Sequence, residues 1–208
     1  MIHIFHGFLG SPEDFSSFKR EDIVLHDLYD MTSLSQVHPD DTLIGYSMGG
    51  RIALDIADAC KFQIKKIVLI NAHPGLQQES EKSQRESFED TILKELGTRE
   101  SEDFMKWWNA LPLFKADRPI TIEDERFQKS KDLFDKFRLS RQKNHLPEIV
   151  LNRHKVLFLA GQSDEKYMEL TKNVLLPLGI HVKVLSGGHR LFQNPLELKR
   201  VLIEEGIL

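Results

Sequence analysis

Thr42-Leu43-Ile44-Gly45-Tyr46-Ser47-Met48-Gly49-Gly50-Arg51 is an apolar run that ends in Gly-x-Ser-x-Gly and passes directly into a helical pattern. The pattern continues through Ile52, Leu54, Ile56 and Ala57 to Cys60. Between a strand and a helix, such a pentapeptide forms a strained turn that lifts the serine hydroxyl above the sheet. The glycines matter because side chains there would collide with the neighbouring strand and helix. Alone the pattern is weak, since a tight strand–helix turn with serine as N-cap would look the same.

Working outward, five further apolar runs read as strands: Met1–Phe5, Ile23–His26, Lys66–Ile70, Lys155–Ala160 and His181–Leu185. They do not alternate with polar residues, so all are expected to be buried on both faces, as in a parallel sheet between helix layers. Asn194-Pro195-Leu196-Glu197 marks a helix start, with Asn as N-cap and Pro in the first position. Strands alternating with helices imply a mainly parallel α/β sheet of about six strands. Residues 76–147 break that rhythm. Helical patterns run near Ser83–Leu96, after Ser101, and from Thr121, where Thr121-Ile122-Glu123-Asp124 resembles a capping box. Phe127, Leu133, Phe134 and Phe137 form the last one's apolar stripe. The expected organisation is a core of residues 1–75 and 148–208 with a helical cap, 76–147, over the strand ends; a helical elaboration on the side of the sheet is the alternative.

A serine hydroxyl needs a histidine to take its proton at neutral pH. His189 follows the strand His181–Leu185, and Asp164 follows the strand Lys155–Ala160. Asp164 would hold the His189 tautomer and stabilise its imidazolium form. Glu165 is one residue off, and His181 opens a strand rather than following one. The loop after the first strand, His6-Gly7-Phe8-Leu9-Gly10, is placed to lend the Phe8 N–H to an oxyanion hole, with the Met48 N–H as its second donor. His6 itself reads either as a chemical group or as a brace for that loop.

Bulk properties narrow the field. The 208 residues carry a formal net charge of −4, with 40% apolar and 29% charged residues. Nothing there marks a nucleic-acid surface, and no apolar run is long enough to span a bilayer. One cysteine, Cys60, excludes an internal disulfide framework and suits a reducing cytoplasm; it is expected to be a buried small residue. The nine histidines form no metal-binding spacing and no phosphate loop occurs, so neither metal nor cofactor is expected. The N-terminus has no leader pattern, and the expected location is the cytoplasm.

The order Ser, Asp, His after successive strands resembles the α/β-hydrolase superfamily. Within it, His6-Gly7-Phe8-Leu9-Gly10-Ser11, Gly45 to Arg51, His73-Pro74-Gly75-Leu76-Gln77, Trp108 with Pro112-Leu113-Phe114, Ser140-Arg141-Gln142 and Asp164-Glu165-Lys166-Tyr167 resemble the menaquinone-pathway 2-succinyl-6-hydroxy-2,4-cyclohexadiene-1-carboxylate synthase branch. The resemblance implies a minimal α/β-hydrolase fold and a lyase whose triad acts as a base, eliminating pyruvate from a polycarboxylate. It also implies an anionic small-molecule substrate held by Arg51, with Arg85 and Arg141 as further cations and Gln77, Trp108 and Tyr46 shaping the pocket. For Arg85 and Arg141 the plain alternative is a solvated surface, and for Trp108 core packing. Two strands that usually come first in the superfamily are expected to be missing. Tyr29-Asp30-Met31 and a short polar loop replace a turn and helix, and Arg190-Leu191-Phe192 lacks the acidic and histidine residues common in relatives. Ester or thioester hydrolysis through an acyl-Ser47 needs the same triad, and an inactive ligand-binding member of the fold is the third reading. Oligomeric state has no signature in the sequence.

Overall fold

The computed structural model describes residues 1–30 and 37–208; Met31 and the polar loop to Gln36 lie outside the described residues. Among the described residues one sheet forms in the order β2-β1-β3-β4-β5-β6, every neighbouring pair parallel. The strands are β1 (Ile2–Phe5), β2 (Ile23–His26), β3 (Thr42–Tyr46), β4 (Lys66–Ile70), β5 (Val156–Gly161) and β6 (His181–Leu185). The helices are α1 (Met48–Ala59), α2 (Glu79–Thr98), α3 (Ser101–Asn109), α4 (Asp124–Lys136), α5 (Leu146–Leu151), α6 (Glu165–Leu170) and α7 (Pro195–Glu204).

Strand periodicity divides the core in two. Leu43, Ile67, Leu69, Phe158 and Ala160 join α1's Ile52, Ala53, Leu54 and Ala57. Ile44, Tyr46, Val68, Ile70, Leu157 and Leu159 join α7's Leu198, Val201 and Leu202. At ~1.5–3 kcal/mol per Leu or Ile side chain removed from water, this burial outweighs any propensity difference along α1 or α7. Apolar side chains are needed on both strand faces, which explains the unbroken runs.

β6 departs from the expected double burial. It is a sheet edge, with His181 and Val184 exposed and only Leu185 buried. Its Lys183 and His181 pair with Glu205, just beyond α7, and charge on an edge strand discourages pairing with another chain. Cys60 is half-buried at the end of α1 rather than buried.

Helices α2 to α5 lie between β4 and β5, and two of their starts differ from the sequence pattern. Helix α2 begins at Glu79, because the Glu81 carboxylate accepts the N–H groups of Gln77 and Gln78 at 3.1 and 3.0 Å. Helix α4 begins at Asp124 with Glu123 as its N-cap, so Thr121 opens no capping box. The Asn109 side chain bonds both the N–H and the C=O of Ile120, which holds the preceding segment out of the helix. Phe104, Trp108, Phe114, Phe127 and Phe134 from this insertion share the core of α1.

One buried polar pair ties β1 to β2. His3 Nδ1 lies 2.8 Å from His26 Nε2, and His3 Nε2 lies 3.0 Å from Asp41 Oδ2. Burial pushes both imidazoles down, His26 to about 4 with His3 beside it. A folded-state pKa below the unfolded value stabilises above the unfolded pKa of about 6.5, and that stability drains away as pH falls toward 4. The urea midpoint should therefore fall between pH 7 and pH 5, by on the order of 2 kcal/mol in unfolding free energy. His26→Gln should flatten that slope; an identical slope in the variant would contradict the assignment.

Candidate active site

Ser47 stands directly after β3 with φ 51° and ψ −113°, a conformation L-residues seldom adopt. Its N–H donates to Ile70 C=O at 2.9 Å. A Cβ at Gly45 would lie 2.4 Å from Gly50 Cα, and one at Gly49 would lie 2.3 Å from the carbonyl oxygens of Phe5 and His6. Only glycine lets α1 approach β1 and β3 so closely. Because β1 and β3 are neighbours in the sheet, the loop after β1 is carried next to Ser47.

His189 Nε2 is 3.0 Å from Ser47 Oγ, and His189 Nδ1 is 2.6 Å from Asp164 Oδ2. Asp164 Oδ1 accepts the Tyr167 N–H at 3.2 Å. Asp164 and His189 are buried at 2% and 1% exposure, so the hydrogen bond between them does not compete with bulk water. The serine proton thus has an acceptor, and the other imidazole nitrogen is held by a carboxylate.

The histidine loop is fastened from two sides by residues that the sequence patterns did not single out. Asn71, at the end of β4, donates through Nδ2 to the carbonyls of Gly188 and His189 at 3.2 and 2.8 Å. Asp117, from the insertion, accepts the N–H groups of His189 and Arg190, both at 3.1 Å. Tyr46, Phe114 and Tyr167 crowd the imidazole with ring centroids at 5.4, 5.6 and 5.1 Å. Asn71's place at a strand's carboxyl end was the one available signal; Asp117 had none. His6 acts as a brace: its Nδ1 lies 2.7 Å from Gly7 C=O, and its Nε2 lies 3.0 Å from the Leu28 backbone nitrogen and 3.4 Å from Asp27 Oδ1.

Above Ser47 lies a cavity of about 70 Å³. Of the residues singled out from sequence, Phe8, Tyr46, Met48, Arg51, Arg85 and Trp108 line it together with Ser47 and His189. Trp108 also packs against Phe8, Phe104 and Phe114, so core packing and cavity lining coincide. Gln77 and Arg141 are not brought to it. Gln77 is exposed just before α2. Arg141 ends a single helical turn whose Leu139 takes the cavity side; it is exposed, pairs with Asp135 at 3.4 Å and lines a separate groove. Lys166 and Arg190 line the cavity instead.

Two of the cations there, Arg51 and Lys166, have no carboxylate ion pair among the described residues. Burial, then Arg85, lowers Arg51 to about 10; its guanidinium donates to the Phe137 carbonyl at 2.6 Å. Desolvation, then Arg85 and Arg51, lowers Lys166 to about 8, although the residue is exposed at the surface. The same charges and burial hold His73 at about 3, so it is neutral. Arg85 bonds Glu89 at 2.8 Å. Glu89 is fully buried and also accepts from Leu139 N–H and the Ser140 hydroxyl; against its burial, these contacts hold the carboxyl below its usual range. Among the described residues no group of three or more His, Cys, Asp or Glu side chains could hold a metal ion.

Residues 25–202 match the family described as the thioesterase domain. The putative 2-succinyl-6-hydroxy-2,4-cyclohexadiene-1-carboxylate synthase of Bacillus subtilis is 32% identical over 105 residues, which are 50% of this chain and 36% of that protein. The synthase of the same name from Photorhabdus laumondii is 25% identical over 158 residues, 71% of this chain and 56% of that protein. The chain thus spans between about a third and just over half of the length of these curated relatives. MenH from S. aureus superposes with a TM-score of 0.78 at 23% identity, covering 99% of this chain and 94% of that one. A carboxylesterase of the thaumarchaeon Nitrososphaera gargenis superposes at 0.64 with 15% identity, covering 98% and 88%. At such identities these two likenesses speak to the fold. With most of its length matched, the chain belongs to the thioesterase domain family and has the α/β-hydrolase fold.

Proposed function

We propose that the protein is a serine enzyme that takes a proton from an anionic small molecule and eliminates pyruvate, with a cyclohexene polycarboxylate of menaquinone biosynthesis as substrate. The observation that carries this reading is that Arg51, Arg85 and Lys166 line the same cavity as Ser47 and His189. Two of these cations are depressed by burial and by mutual repulsion, and a bound carboxylate relieves both effects. An apolar ester would relieve neither.

In this reading Ser47 Oγ passes its proton to His189 Nε2 and removes a carbon-bound proton from the substrate. The freed C–H pair becomes a new C=C bond, and the C–O bond to the enolpyruvyl group breaks. The leaving oxygen takes a proton back from the site, and the enol becomes pyruvate. Asp164 stabilises the transient imidazolium. The N–H groups of Phe8 and Met48 are assigned to the developing oxyanion. Residues 76–147 act as a cap. The thioesterase-domain match favours one second reading, thioester hydrolysis through an acyl-Ser47, which uses the same three residues. Among the described residues no helix is long and apolar enough to cross a membrane; with Cys60 its one cysteine, the enzyme is assigned to the cytoplasm.

Pyruvate release from the cyclohexene polycarboxylate, followed with a lactate dehydrogenase couple, tests the reaction. The wild type should release pyruvate, and Ser47→Ala should lower kcat by about 10³-fold or more. Ester or thioester turnover abolished by Ser47→Ala, with no pyruvate formed, would overturn the lyase reading. A second outcome concerns Lys166, which binds an anion only when protonated. The kcat/KM profile should fall as pH rises through about 8, because that profile reports free-enzyme groups. Lys166→Arg should carry the falling limb to higher pH; a limb that stays in place would remove Lys166 from substrate binding.

A further inference from the structure

Arg190 follows the catalytic-site histidine and is 3% exposed, yet no carboxylate pairs with it among the described residues. Its Nη1 donates to the Arg118 carbonyl at 2.8 Å. Its guanidinium lies over the Phe114 ring at 4.1 Å. Its Nη2, sealed from solvent, has no hydrogen-bond partner among the described residues. A buried N–H donor left without an acceptor destabilises the fold, and more so when charged. Such a group at a cavity wall is accounted for by an acceptor that arrives with the ligand.

This guanidinium is separate from the cluster described above. Arg51, Arg85 and Lys166 act on one another, whereas the charged or ionisable groups around Arg190 are Tyr46, Asp117 and Asp14. Both nearby carboxylates are already engaged: Asp117 accepts two backbone N–H groups and Asp14 accepts that of Ser11. The Arg190 fork is also held rigidly. Arg118 donates its backbone N–H to Gln193 Oε1 at 2.9 Å and its Nη2 to Gln193 C=O at 2.8 Å, so the carbonyl that orients Arg190 is itself fixed.

We propose that Arg190 is a second anion subsite of the cavity, binding a carboxylate at a point distinct from the Arg51, Arg85 and Lys166 cluster. The substrate accordingly carries at least two acidic groups, one for each subsite. This rests on the polycarboxylate reading above and names the residue that holds the second acidic group. A planar fork with Nη1 spent on a carbonyl and Nη2 unpartnered suits a carboxylate oxygen.

The test is binding without chemistry. In Ser47→Ala protein, titration calorimetry compares the α,ω-dicarboxylates from malonate to adipate with acetate and butyrate. At least one dicarboxylate should bind about tenfold or more tightly than the monocarboxylates. Arg190→Gln, checked for folding by circular dichroism, should erase that preference while leaving monocarboxylate binding in place. Arg190→Lys keeps the charge but loses the fork, and should retain only part of the preference; it also serves if the glutamine variant does not fold. No dicarboxylate preference in the parent protein, or a preference unchanged by both substitutions, would overturn the subsite. Because no turnover is involved, a preference lost on substitution in an enzyme that releases no pyruvate would keep the subsite and dismiss the lyase reading.

Discussion

The first turn of helix α1 meets β1 and β3 backbone to backbone at Gly45, Gly49 and Gly50, and the site depends on that contact. Cβ atoms at Gly45 or Gly49 would fall inside 2.5 Å of backbone atoms. The close approach leaves the chain no room for an ordinary turn, so Ser47 takes its left-handed conformation and projects where the strands end. The strain at one residue is small, of order 1–3 kcal/mol, against the burial of α1's apolar face. A parallel sheet then does the rest. Every strand delivers its carboxyl end to one edge, so loops distant in sequence meet there.

Around that edge the charges are arranged unequally. Negative charge serves structure: Asp164 and Asp117 fasten the His189 segment, and Glu89 anchors the turn through Leu139 and Ser140. Positive charge faces the cavity, where Arg51 and Lys166 have no carboxylate ion pair among the described residues and Arg85 is paired with Glu89. Burying cations this way costs stability unless something pairs with them, and such conflicts between stability and local rule concentrate at functional sites. The anion that resolves the conflict is, in this account, the substrate.

Much of this was legible in the sequence, for physical reasons. Six apolar runs announced six strands, and Ser47, Asp164 and His189 each follow one, so strand order sufficed to bring them into register. Burial along β6 was not legible, because an apolar run marks a strand without saying whether it is central or at an edge. Helix phase hid the cations. Arg141 sits on the outer side of a single turn, while Lys166, two residues past Asp164 on a short helix, reaches the cavity. Asn71 and Asp117 act on backbone atoms of the His189 loop, and no spacing of residue types encodes such contacts.

The central claim is that Ser47 is chemically activated by His189. Mass spectrometry of the folded protein after exposure to a small fluorophosphonate tests it most directly. The account predicts a single adduct on Ser47, lost in His189→Ala. A folded protein that takes no adduct at Ser47, or takes it equally well without His189, would contradict it.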